Sequence, residues 1–182
     1  MHPRFRELLD YLAAARRGLL AAVAGATSAQ LEYRPSPDAW SPAETLEHLR
    51  MTEASIVKVL QRLLTKADLT QVGRETETTS VMGQLDAYRM TEALRSVPAP
   101  EFVLPARGAS AEAALAALPH SRAALEQVVA QADGWAVGKL SFPHALIGPL
   151  TFYQWVLFVG QHEVRHTAQI ARALRAAAGE PR

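Results

Sequence analysis

His162 and His166 stand four residues apart in the run Gln161-His162-Glu163-Val164-Arg165-His166-Thr167-Ala168-Gln169. His48 closes a distant run, Trp40-Ser41-Pro42-Ala43-Glu44-Thr45-Leu46-Glu47-His48. Positions i and i+4 share one face of a helix, so a single metal ion can take a ring nitrogen from each of the pair. A third imidazole from a facing helix would complete a three-histidine site with coordination positions left open, which is where metal chemistry takes place.

The stripe that carries the pair also holds Trp155, Val159, Ile170 and Ala173, so both rings are expected to face a bundle interior. A buried histidine must satisfy both ring nitrogens. Metal would take one nitrogen from each ring, and a carboxylate, carbonyl or water would take the other. The alternative is a pair of hydrogen-bonded core histidines. His48 lies two turns into a second amphipathic segment, and spacing alone does not fix whether it faces the pair. His144 is read as lying in a loop that approaches the site, His120 as surface and His2 as terminal.

The run His162-Glu163-Val164-Arg165-His166 also matches the zinc-protease pattern, in which the Glu acts as general base. Sixteen residues follow His166 and none is histidine, and their one acid, Glu180, lies in a tail expected to fray. With no third ligand downstream and no strands to bind a peptide, the protease reading is set aside. Glu163 sits about 100° round the helix from His162, in a structural role or behind the ligands. Gln169, one turn past His166, is placed to orient a ligand or line the pocket. Glu44, one turn before His48, is explained by capping, with a pocket role as the other choice. Trp40 and Trp155 are expected to pack the bundle, with substrate binding as the other reading.

The elements that must position these residues read as four principal helices. The first runs from about Pro3 to Val23, and a turn-rich loop follows. Ser41, Pro42 and Glu44 form a capping box with proline in the first turn, opening a second helix through Leu46, Leu49, Ile56, Val59, Leu60 and Leu63. Lys66 to Ser80 reads as loop, Gln84 to Ser96 as a short extra helix, and Pro98, Pro100, Pro105 and Gly108 as a long connection. The third helix spans about Ser110 to Ala132, with Pro119 expected to kink or interrupt it. A linker over 142–150 leads to the last helix, which Thr151 and Gln154 cap. No strand pattern stands out, so the expectation is an all-α bundle with its site between facing helices.

Bulk properties narrow the function. A chain of 182 residues, 49% hydrophobic and 20% charged, fits one domain over 1–182 with a sizeable core. A net charge of +1, from 19 basic and 18 acidic residues, carries no electrostatic footprint for nucleic acid. The absence of cysteine excludes disulfides, thiolate metal sites and cysteine nucleophiles. Arg16-Arg17 followed by the apolar run 18–24 faintly resembles a signal peptide, but that run is short and continues a helical stripe from Phe5. No run approaches the roughly eighteen apolar residues of a membrane span, so no membrane association and a cytoplasmic location are expected.

Three blocks in order resemble the DinB/YfiT-like superfamily of four-helix-bundle metalloproteins. They are Trp40-Ser41-Pro42-Ala43-Glu44 to His48, Phe142-Pro143-His144 through Gly148-Pro149-Leu150-Thr151 to Gln154-Trp155, and His162-Glu163 with Arg165-His166 and Gln169-Ile170. The resemblance implies an up-down-down-up bundle covering nearly the whole chain. It implies that His48, His162 and His166 are ligands of a divalent ion, nickel or zinc first, iron or manganese next. It also implies a homodimer and a small-molecule substrate. The activities it implies are metal-dependent hydrolysis, S-transfer from a low-molecular-weight thiol, or thiol-dependent isomerisation. The rival class is a non-catalytic, metal-stabilised bundle that binds a small molecule.

Overall fold

Six helices and one hairpin follow one another in the computed structural model, which describes residues 1–92 and 98–179. The helices are α1 (Pro3–Val23), α2 (Ser28–Glu32), α3 (Pro42–Lys66), α4 (Leu69–Val72), α5 (Ala111–Ala132) and α6 (Phe152–Ala177). The long ones start where side chains satisfy the first free backbone N–H groups. At α3 the Ser41 hydroxyl accepts from the N–H of Glu44, and the Glu44 carboxylate accepts from the N–H of Ser41. Thr151 and Gln154 repeat the arrangement at α6. Thr27 and Gln30 repeat it at α2, a single turn and a half inside what reads as loop from sequence.

The four long helices form a bundle in which α1 packs on α6, and α3 packs on both α5 and α6. Gly160 sets the approach of α1 to α6, because a Cβ there would lie 2.6 Å from the Tyr11 ring. The apolar core is in two parts. One is built around Phe5, Leu8, Leu12, Ile56, Leu60, Leu125, Phe152 and Val156. The other is built around Leu19, Leu31, Leu46, Leu49, Leu118 and Ile170. On every long helix a charged residue stands between the two: Arg16 after Leu12, Glu53 after Leu49, Arg122 after Leu118, Glu163 after Val159. A polar layer therefore crosses the bundle at mid-height.

Four local expectations need correction. Of the two outcomes expected of Pro119, interruption is not seen: α5 runs unbroken past it, although proline removes the intrahelical donor to the Leu115 carbonyl one turn back. The linker before α6 is a hairpin, β1 (Ser141–His144) paired antiparallel with β2 (Gly148–Thr151), so His144 sits on a strand. Four-residue strands holding two prolines and a glycine are too short to show alternation, and Pro143 opposite Pro149 gives up no ladder bond if both amide positions face outward. The stretch after α3 holds α4 and a bridge between Arg74 and Trp135. The short extra helix is a 3-10 helix over Met82–Tyr88 with Leu85 fully buried, ended by Arg89 at φ 48°. Its expected end at Ser96, like Glu180, lies outside the described residues. No described helix is long and apolar enough to cross a membrane, and the apolar part of the Arg16-Arg17 run packs Leu19 and Val23 into the core.

Candidate metal centre

α3 and α6 bring His48, His162 and His166 together at one edge of the polar layer. The Nε2 atoms of His48 and His162 are 3.3 Å apart, and those of His166 and His162 are 3.1 Å apart. Among the described residues this trio is a group whose ligand atoms all lie within 4.8 Å of one another. His48 and His166 are buried and His162 is part-buried. Nitrogens held tetrahedrally at about 2.0–2.1 Å from zinc stand roughly 3.3–3.4 Å apart, so the observed separations suit one such ion.

The second nitrogens decide what the first can do. Nδ1 of His48 lies 2.8 Å from the carbonyl oxygen of Val103, an atom that can only accept, so that nitrogen carries the proton. Nδ1 of His166 likewise donates to Oε1 of Gln169 at 2.9 Å. With those protons placed, both Nε2 atoms are bare lone pairs in the neutral rings, and both are aimed at the Nε2 of His162. Protonation to relieve this is opposed. Burial holds the His48 ring below its ordinary value, only partly offset by the Val103 bond. Burial, then the charge of His48, pushes His166 down to about 3. Burial, then its two histidine neighbours, Arg165 and His144, keep His162 well below the ordinary range. Three neutral imidazoles whose Nε2 atoms converge could bind a divalent metal ion.

Aromatic rings wall the cluster. Trp40 lies against His48 with centroids 4.8 Å apart, and Phe158 stacks on His162 at 5.3 Å and 17°. His144 is part of that aromatic wall, seated on Phe158 at 5.0 Å and on Trp155 at 5.2 Å. Its Nδ1 accepts from the N–H of Leu146, which leaves the proton on Nε2. Trp155 donates its indole N–H to the Phe142 carbonyl and so ties the hairpin to α6. Arg165 bonds the Glu92 carbonyl at 2.7 Å. Gln169, three residues past His166 on α6, meets that ring from behind.

Glu44 and Glu163 are not at the Nε2 cluster. Glu44 is spent on the Ser41 cap, on Arg34 at 2.7 Å and on the N–H of Gly108, pinning two loops to the start of α3. Glu163 turns away into a closed ring of charges. Arg16 binds both Glu163 and Glu53; Arg122 binds Glu53 at 2.6 Å and Glu163 at 2.7 Å. Both carboxylates are 2% exposed, which buried charges tolerate only when paired. Ser121 adds a hydroxyl donor to Glu53. Arg16, Glu53, Ser121 and Arg122 were not legible as a unit in sequence. The available signal was a charged residue at an apolar-stripe position of each long helix.

Comparison with known proteins agrees with this architecture. The family model described as the DinB superfamily matches residues 11–170. The uncharacterized protein YuaE of Bacillus subtilis (strain 168) is 25% identical over 146 residues, spanning 80% of this chain and 84% of that protein. The crystal structure of TT2238, described as a four-helix bundle protein, superposes with a TM-score of 0.57 at 26% identity, covering 91% of this chain and 96% of that one.

Proposed function

The chain belongs to the DinB superfamily, and we propose that it is a metal-dependent enzyme, a hydrolase or a small-thiol S-transferase, with His48, His162 and His166 as the metal ligands. The observation that carries this reading is the convergence of three Nε2 atoms with the Nδ1 protons of His48 and His166 held by Val103 and Gln169. A divalent ion, nickel or zinc by preference, would keep its full positive charge among three neutral imidazoles and lower the pKa of a coordinated water or thiol. Three ligands leave positions open, which favours catalysis over a purely structural ion.

The chain's own residues supply the rest. Val103 and Gln169 fix the tautomer and tilt of two ligand rings. Trp40 and Phe158 hold water off the flanks of the cluster, where a weaker dielectric strengthens every charge. His144 offers an Nε2–H beside the aromatic wall, suited to an oxygen atom of a small substrate. With no cysteine of its own, the protein has no thiolate to compete for the site with an external thiol. A homodimer acting on a small molecule completes the proposal.

The test is metal analysis of the purified protein, followed by a turnover screen pairing small thiols or water with electrophilic substrates, with and without chelator. Chelator-sensitive turnover supports the enzyme. Tight metal binding without turnover, with unfolding on metal removal, would favour the metal-stabilised binding bundle instead.

A further inference from the structure

Thr52 lies one turn past His48 on α3 and one residue before Glu53. Its Oγ1 is sealed from solvent and has no hydrogen-bond partner among the described residues. It borders a small chamber, shared with Arg16, Glu53, Arg122, Glu163 and His162, between the ring of charges and the histidine cluster. The chamber offers about 10 Å³ to the centre of a water-sized sphere, about the least that admits one water molecule. Buried hydroxyls in folded proteins find a protein or water partner.

His162 lines the same chamber. The other two histidines donate Nδ1–H to protein oxygens, Val103 O and Gln169 Oε1. His162 turns its Nε2 to the other two rings, and among the described residues no protein atom accepts from its Nδ1. A ligand histidine donates its second N–H to an oxygen almost without exception. We propose that the chamber binds one ordered water molecule, which accepts the Nδ1 proton of His162 and donates to Oγ1 of Thr52, making Thr52 a positioning residue for the third metal ligand. The second water proton has a taker in Glu163, whose carboxylate accepts from Arg16 and Arg122 and keeps lone pairs free. The charge ring would then be continuous with the site through one molecule, and all four long helices would bear on the tilt of His162. This rests on the metal-centre reading.

Two measurements test it. The first is a crystal structure of the zinc-loaded protein, for wild type and for Thr52→Val, which keeps the shape and removes the hydroxyl. The second is zinc affinity by chelator competition, with the visible spectrum of the cobalt(II) form, for wild type, Thr52→Val and Thr52→Ser. The expected result is water density between Thr52 and His162 in wild type only. Zinc affinity is expected to fall about 10–100-fold in Thr52→Val with helical circular dichroism unchanged, and the affinity and cobalt spectrum to return in Thr52→Ser. A dry chamber in wild type, or a loss under tenfold in Thr52→Val, overturns the proposal. If Thr52→Val does not fold, the wild-type density and Thr52→Ala decide by the same criteria. Wild-type protein that binds neither metal sinks the metal-centre reading instead, and density in the metal-free crystal still decides on the water.

Discussion

Oε1 of Gln169 holds the Nδ1 proton of His166 at 2.9 Å, three residues further along the same helix. The bond lies within α6, so it needs no partner helix to orient the ring. Its effect is to aim the opposite nitrogen of His166 at His162.

Replacing Gln169 by leucine removes that acceptor and frees the ring to rotate. Metal affinity is expected to fall about 10–100-fold, the usual loss when a ligand histidine loses its outer partner. Gln169→Glu keeps an acceptor and should retain affinity close to wild type. Chelator competition on the three proteins reads this directly, and equal affinities for Gln169→Leu and wild type would dismiss the role.

His48→Ala takes away the one ring of the trio that α3 supplies. Metal affinity should drop by more than the outer-partner change does, while the helical circular dichroism remains, because the apolar clusters on either side of the polar layer are untouched. Loss of turnover in a folded protein supports catalysis at the site. Loss of the fold itself would identify the ion as a structural staple.

The metal-free protein should weaken in mild acid. In the unfolded chain each histidine titrates near 6.5, whereas in the fold His166 is pushed down to about 3 and His48 and His162 are also lowered. Between those values the unfolded state binds more protons than the native state, so stability rises with pH across the window. It is fully present above about pH 6.5 and is lost as pH falls toward 3. The slope is up to about 1.4 kcal/mol per pH unit for a histidine that the fold keeps neutral. Urea midpoints of the metal-free protein at pH 7 and pH 5 check the sign, and His166→Gln should flatten the difference. Midpoints that do not move between the two pH values contradict it.

Opening the charge ring should be costly. Glu53→Gln leaves Arg16 and Arg122 sharing one carboxylate in a buried layer, and breaking a buried pair from one side typically costs about 3–5 kcal/mol. Equilibrium denaturation gives the value. The paired substitution Glu53→Gln with Arg122→Met should cost less than the sum of the two single changes, because the partners are removed together. Strict additivity would mean that the ring does not act as a unit.

Helices, their starting points and the i,i+4 histidine pair were legible in the chain because each depends on atoms three or four residues apart. Ser41 with Glu44 and Thr151 with Gln154 are local bonds, and so is the shared face of His162 and His166. The bundle itself followed from the apolar stripes. The hairpin before α6 was hidden by its prolines, and α2 by its brevity. What the tertiary structure alone decided is everything that crosses between helices. His48 meets the pair only through the packing of α3 on α6, and its tautomer is set by Val103, 55 residues away. The ring joining Arg16, Glu53, Arg122 and Glu163 needs four helices in one register. Helical periodicity tells which face a residue occupies, but the height at which two faces meet is set by side-chain packing between helices, and no spacing along a single chain contains it.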